Sequence, residues 1–225
     1  MEKSKPANWL GIKETPRPAE DGDFFPTHPG ITLALLQHEL FPGTVWEPAC
    51  GQGDISRVLE EQGYQVHSTD LFHRGYGLSR FDFFGFSEMP ICCESLITNP
   101  PFKTVDRLGN KRTTTDWINH IGFLSDNWKM CKLQKAALLL KTTAVAGKKR
   151  SVALKRAGFC RLLQFRGRLQ FEKEKLPGDN GPQGMMEFAW FIFERGFQGE
   201  PSIRWIDEIN PNQPCLPWGD DDDDT

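Results

Sequence analysis

The chain has 225 residues, 38% of them hydrophobic and 25% charged, with a net charge of −3. That is enough for one buried core, and the composition excludes a disordered or fibrous polymer. No apolar run approaches the roughly 20 residues that span a bilayer, and the start Met-Glu-Lys-Ser-Lys-Pro lacks the apolar stretch of an export signal, so a cytoplasmic protein without membrane attachment is expected.

In chain order, residues 1–23 read as an extended or disordered lead-in, 24–197 as the folded domain and 198–225 as an extension with an acidic tail, Asp220 to Asp224. Ile31, Leu35 and Leu36 recur at helical spacing, predicting a helix after Pro29. Thr44 to Glu47 reads as a strand opening onto the turn Ala49-Cys50-Gly51-Gln52-Gly53, and Asp54 to Gln62 as a helix stopped by Gly63. Further strands are expected over 64–68, 80–84 and 94–98, then a polar loop over 103–115 and a helix over about 116–130. Lys135 to Lys141 reads as a buried parallel strand, 145–157 as a basic helix, 159–171 as one or two strands and 186–194 as an aromatic strand, with a charged loop over 172–184. Alternation of strands with helices, then strands joined directly, predicts a parallel α/β sheet ending in an antiparallel hairpin.

Six cysteines form no Cys-x-x-Cys pair and no metal-like cluster with the five histidines, so no metal site and reduced thiols are expected. The charge is uneven. Residues 103–175 hold 18 Lys+Arg against 5 Asp+Glu, and the remainder 9 against 25. A basic face for a polyanion is the functional reading, ordinary solvated helix faces the plain one. The candidate contacts are Lys103, Arg107, Lys111, Arg112, Lys148, Lys149 and Arg150.

A strand, a Gly-x-Gly turn and a helix make a minimal nucleotide-binding unit. Here Ser56 stands where a dinucleotide site has its third small glycine, and no Gly-Lys-Ser/Thr follows to make a phosphate loop. Glu47 and Asp54 flank Gly51 and Gly53; carboxylates there repel a pyrophosphate but suit an ammonium and a sulfonium, as in S-adenosyl-L-methionine. Asp70, ending the second strand, is placed to grip ribose hydroxyls, the alternative being a solvated strand end. At Asp82-Phe83 a carboxylate could accept from an adenine amino group while the ring packs on the base.

Asn99-Pro100-Pro101-Phe102 ends another strand at the same edge, where open α/β sheets bind ligands. The Asn99 amide oxygen and the Pro100 carbonyl can both accept from an NH₂ group, localising its lone pair for attack on an electrophilic methyl, and Phe102 offers a stacking face. The plain reading is a Pro-rich turn.

These segments together resemble the amino-methyltransferases, above all the N6-adenine DNA enzymes of bacteria and phages, over roughly residues 24–195. The resemblance implies that Phe25 to Pro29, with Pro26 and Thr27, lies near the methionine end of the cofactor, although His28 interrupts the commoner Thr-Pro pairing. It implies that Glu47 to Asp54, Ala49 and Cys50 included, forms the cofactor loop, that Asp70 and Asp82-Phe83 take its ribose and adenine positions, and that Asn99 to Phe102 is catalytic. The implied fold is a Rossmann-like seven-stranded sheet, mostly parallel with an antiparallel last strand and helices on both faces. No separate target-recognition segment is evident, which assigns any base choice to the loops over 103–115 and 172–184 and to the basic helix. The expected activity is N6-adenine methylation of DNA with short or loose specificity, in a bacterial or phage-infected cell. RNA adenine methylation, protein glutamine methylation and a binding-only protein of this fold are the alternatives.

Overall fold

The computed structural model describes residues 25–85, 92–127, 133–169 and 187–210. Its central strand is β6, Lys135–Lys141, apolar at every inner position and buried along them. A strand of this kind must be covered on both faces. Ala136, Leu138 and Leu140 face one core cluster and Ala137 and Leu139 the other, the alternation a pleated strand imposes.

Around β6 stand β1 (Val45–Glu47), β2 (Val66–Ser68), β3 (Ser95–Thr98), β7 (Phe159–Phe165), β8 (Phe188–Glu194) and β9 (Ser202–Ile206), in the order β2-β1-β3-β6-β8-β7-β9. Only β8 runs antiparallel to its neighbours, paired residue for residue with β6 from Lys135↔Glu194 to Lys141↔Phe188. Helices α1 (Pro29–His38) and α2 (Asp54–Glu61) bury Ile31, Leu35, Ile55 and Leu59 on one face. Helices α3 (Thr114–Asn127) and α4 (Lys148–Arg156) bury Trp117, Ile121 and Leu154 on the other. The Rossmann-like sheet with an inserted antiparallel aromatic strand and helices on both faces is therefore present.

Its seven strands are not the seven expected. Residues 80–84 form no strand: Arg80 has φ 63°, and Phe83–Gly85 is a single 3-10 turn. Phe81, Phe83 and Phe84 go into or against the core instead of pairing along an edge. The seventh strand is β9, which lies beyond the expected domain boundary at residue 197 and pairs parallel with β7, burying Ile206. The expected polar loop over 103–115 contains a two-stranded hairpin, β4 (Lys103–Val105) with β5 (Lys111–Thr113). The expected lead-in, the loop over 172–184 and the acidic tail lie outside the described residues.

The amino-terminal edge of the sheet is held by a buried charge cluster. Glu39, at the end of α1 and 4% exposed, accepts from Arg161 Nε (2.5 Å) and Nη2 (3.2 Å) and pairs with Lys135 Nζ (2.5 Å). Glu194 of β8 also pairs with Arg161. Burial pushes the Glu39 carboxyl up, but the two cations outweigh it and hold the group below its ordinary range. Removing one partner of a buried pair strands the others, so Glu39→Ala should lower the unfolding free energy by about 3 kcal/mol in urea titrations at neutral pH. The stabilisation is present above the ordinary glutamate pKa and is lost as pH falls through the lowered native value, so the variant's deficit should shrink in acid.

Candidate active site at the carboxyl edge of the sheet

The strands β1, β2, β3 and β6 all end at one edge, and the chain turns there four times. After β1, Gly51 (φ 56°) and Gly53 (φ 90°) take left-handed conformations, and Gly53 N–H donates to the Cys50 carbonyl at 2.7 Å. A Cβ on Gly53 would lie 2.5 Å from the Tyr76 ring, so the position requires glycine twice over. Tyr76 is fixed over the turn by a hydrogen bond to Glu60 (2.9 Å) and by the Arg57 guanidinium, 4.6 Å from its ring centre.

The acids around this turn are struts as well as candidate ligands. Asp70, 6% exposed, accepts from Gly51 N–H through Oδ2 and from Phe72 N–H through Oδ1, each at 2.8 Å. Burial raises its pKa, opposed by those two donors. Glu47, 1% exposed, accepts a very short hydrogen bond from the Ser56 hydroxyl on α2, and Ser56 in turn meets Ser68 Oγ at 2.5 Å. Burial lifts the Glu47 carboxyl well above its ordinary range, against the pull of Ser56. Of the two carboxylates flanking the turn, Glu47 links β1, α2 and β2 through Ser56 and Ser68, and Asp54 is the half-buried acid at the turn's exit. The Cys50 thiol is buried, and burial pushes its pKa up to about 12.

Asp82 is a strut too. Its Oδ1 accepts from Phe84 N–H (3.0 Å) and its Oδ2 from Arg107 N–H (2.8 Å), tying the 3-10 turn to the β4–β5 hairpin. Phe83, expected to pack on the cofactor's base, sits within a core cluster. It is 3% exposed, stacked on Trp117 with centroids 4.3 Å apart, and packed against Trp46 and His120. Burial lowers the His120 pKa to about 4, so this aromatic cluster holds a neutral imidazole.

Thr27 joins the two loops that matter most. Its N–H donates to Asp54 Oδ2 (3.3 Å) and its Oγ1 accepts from Asn99 Nδ2 (3.1 Å). The residue is 4% exposed, with Pro26 half-buried beside it. Committing Nδ2 to Thr27 orients the Asn99 amide, so that Oδ1 is the atom able to accept from an incoming NH₂ group. Pro100 is buried and Pro101 half-buried. Phe102 packs against Phe25 (5.6 Å) and Phe188 (5.7 Å), and Lys141 Nζ sits 4.4 Å from its ring centre. Its ring is therefore less open than the sequence implied. Lys141 stands at this edge because it ends β6.

Of the candidate cations, Arg107, Lys111, Lys148 and Lys149 are exposed. Lys103 opens β4 directly after the tetrapeptide. Arg112 is partnered: Asp106 pairs with its Nε (2.8 Å) and Nη2 (2.6 Å), and its guanidinium lies 4.7 Å from the Phe84 ring centre. Arg150 folds back on the Ala146 carbonyl (2.8 Å). Among the described residues no cluster of three metal-ligating side chains occurs, and no helix is long and apolar enough to cross a membrane.

No family model matches the chain, and no curated protein sequence matches it. Among solved structures it is similar to the modification subunit of a candidate type I restriction enzyme from Vibrio vulnificus, with TM-score 0.55, 12% identity, and coverage of 88% of this chain and 50% of that one. It is also similar to a chain from a type I restriction–modification assembly, with TM-score 0.50, 14% identity, and coverage of 83% and 45%. The likeness is one of fold, and the chain spans about half the length of each.

The Glu47 site yields a test independent of any ligand. A buried acid with a raised native pKa stabilises the fold fully below the ordinary glutamate pKa and loses that contribution as pH rises toward the native value. Glu47→Gln keeps the shape and removes the titration. In denaturant titrations across pH 4 to 8, roughly the span above the ordinary carboxyl value over which a raised group titrates, the variant should gain on the parent steadily as pH rises. A constant difference would mean that Glu47 is ionised in the native state.

Proposed function

We propose that the chain transfers a methyl group from S-adenosyl-L-methionine to the N6 amino group of adenine in DNA. The observation that carries this reading is the Thr27–Asn99 hydrogen bond, which fixes an amide acceptor at the sheet edge that also holds the Gly51–Gly53 turn.

The residues at the turn fit the cofactor. Asp54 is half-buried at the start of α2, and Asp70, beneath Gly51, keeps lone pairs beyond the two already engaged. An acidic set of this kind disfavours a phosphate ligand and favours an ammonium and a sulfonium. When bound, the cofactor supplies an electrophilic methyl on a good leaving group, so no strong base is needed before transfer.

This chain's own residues would then do the positioning. Asn99 Oδ1 and the Pro100 carbonyl accept from the two N–H groups of the target amine, which draws its nitrogen toward tetrahedral geometry. Thr27 keeps the amide from rotating. The amine's surplus proton passes to water after the new N–C bond has formed. Because the adenine must leave its stack to reach this edge, a base-flipped substrate is implied.

A nucleic acid is favoured on two grounds, of which only the first separates DNA from RNA. The two similar structures described above come from type I restriction systems. The first turn of α4 also carries Lys148, Lys149 and Arg150 and no acid, an arrangement the helix dipole opposes and a phosphate backbone would reward.

Incubating the chain with methyl-labelled cofactor and unmethylated DNA or RNA, then digesting to nucleosides, should yield labelled N6-methyladenine from DNA. Label recovered only from RNA would move the acceptor, and none from either under single-turnover conditions would sink the reading. Asn99→Ala should reduce transfer on the order of a hundredfold or more while calorimetry shows cofactor affinity nearly unchanged. Thr27→Val should fall between parent and Asn99→Ala, since it frees the amide without removing it.

A further inference from the structure

We infer that the β4–β5 hairpin is a duplex-opening wedge with Leu108 as its inserted side chain, which makes double-stranded nucleic acid the substrate form; this rests on the adenine-methylation reading above. Leu108 is 86% exposed at the hairpin's tip. A lone exposed leucine means nothing by itself. What distinguishes this one is the structure assembled to display it.

Asp106, 5% exposed, gathers donors from the whole turn: Leu108 N–H (3.0 Å), Asn110 N–H (2.8 Å), Asn110 Nδ2 (3.0 Å) and Arg112 Nε (2.8 Å). Arg112 and Asn110 hold the Asp106 carboxyl below its ordinary range despite burial. The turn closes with Gly109 N–H on the Asp106 carbonyl and Asp106 N–H on the Asn110 carbonyl, each at 2.9 Å. Arg107 N–H moors it to Asp82, and the Arg112 guanidinium rests on Phe84. The tip is therefore fixed to the body of the domain at several points. A fixed apolar tip stays in water and gains no burial inside the fold.

Its surroundings identify the occupant. Arg107 and Lys111, both exposed, stand on either side of Leu108 in the chain, as cations flanking a group that enters between phosphates. Phe102, the end of the tetrapeptide, lies six residues before Leu108, so the two are at most about 20 Å apart. With a base step of about 3.4 Å, that bound puts the tip within about six base pairs of the adenine held at Asn99. Apolar side chains inserted between base steps unstack them and hold the helix open. At this position such a wedge would lower the cost of extruding the target base. A single strand has no paired stack to open.

The test compares one unmethylated DNA fragment in native and heat-denatured form, using labelled cofactor and the full chain. Leu108→Ala should lower the ratio of native to denatured transfer about tenfold, because part of the unstacking cost returns only for the duplex. Leu108→Phe, which keeps a wedge, should restore the ratio. A ratio within about twofold of the parent's for Leu108→Ala, or an equal loss on both forms of the DNA, would overturn the wedge while leaving the methylation reading intact. Absence of transfer by the parent to either form would overturn both.

Discussion

A carboxylate taken out of water must be supplied with donors or cations, because an unpartnered buried charge costs more than a domain of this size can carry. Five acids meet that condition among the described residues: Glu39, Glu47, Asp70, Asp82 and Asp106. Each satisfies it by reaching a distant segment. Glu39 recruits β6 and β7, Glu47 recruits α2, Asp70 the Gly51 N–H, Asp82 the Arg107 N–H, and Asp106 the far side of its own hairpin. Four of the five lie along the carboxyl edge or on the hairpin joined to it. The turns that form the candidate site are loops in secondary structure, yet they are held like core elements.

The same constraint explains what could be read from the sequence and what could not. The strands with strong apolar patterns, β1, β3, β6 and β8, and the two acid-flanked helix starts lie where hydrophobic period and turn chemistry put them. The stretch 80–84 misled because an alternating aromatic run reads as a strand, whereas its rings are drawn inward by Trp46 and Trp117. β9 was missed because its pattern is mostly exposed and it makes only one pairing, at the sheet's edge. At the site, the identity of Glu47, Asp70 and Asp82 was legible and their office only in part. A sequence marks an acid at a strand end but does not say whether it faces a ligand or a backbone N–H in the next loop. Thr27 shows the reverse case: its link to Asn99 spans 72 residues, and no local pattern announces it.

Both edges of the sheet carry positive charge. At the amino edge, Glu39 and Glu194 neutralise Lys135 and Arg161, while Lys155 and Arg156 at the end of α4 stay exposed. At the carboxyl edge, Lys148 and Lys149 are left exposed in the first turn of α4, against the direction the dipole favours. Exposed positive charge therefore stands beside the edge holding Asn99 as well as at the far end of α4.

The position of β8 also bears on how the sheet is made. β6 and β7 are not neighbours; each pairs with β8, the seven-residue aromatic strand that follows them in the chain. During synthesis, β6 and β7 can both have emerged while the strand that must separate them has not, leaving two apolar edges open to each other or to other chains. Once β8 enters, it closes both edges in one step and buries Phe188, Trp190, Phe191 and Phe193. Completion of the sheet is therefore a late and cooperative event, and a nascent chain stopped short of residue 194 would be a sticky intermediate with an exposed half-sheet.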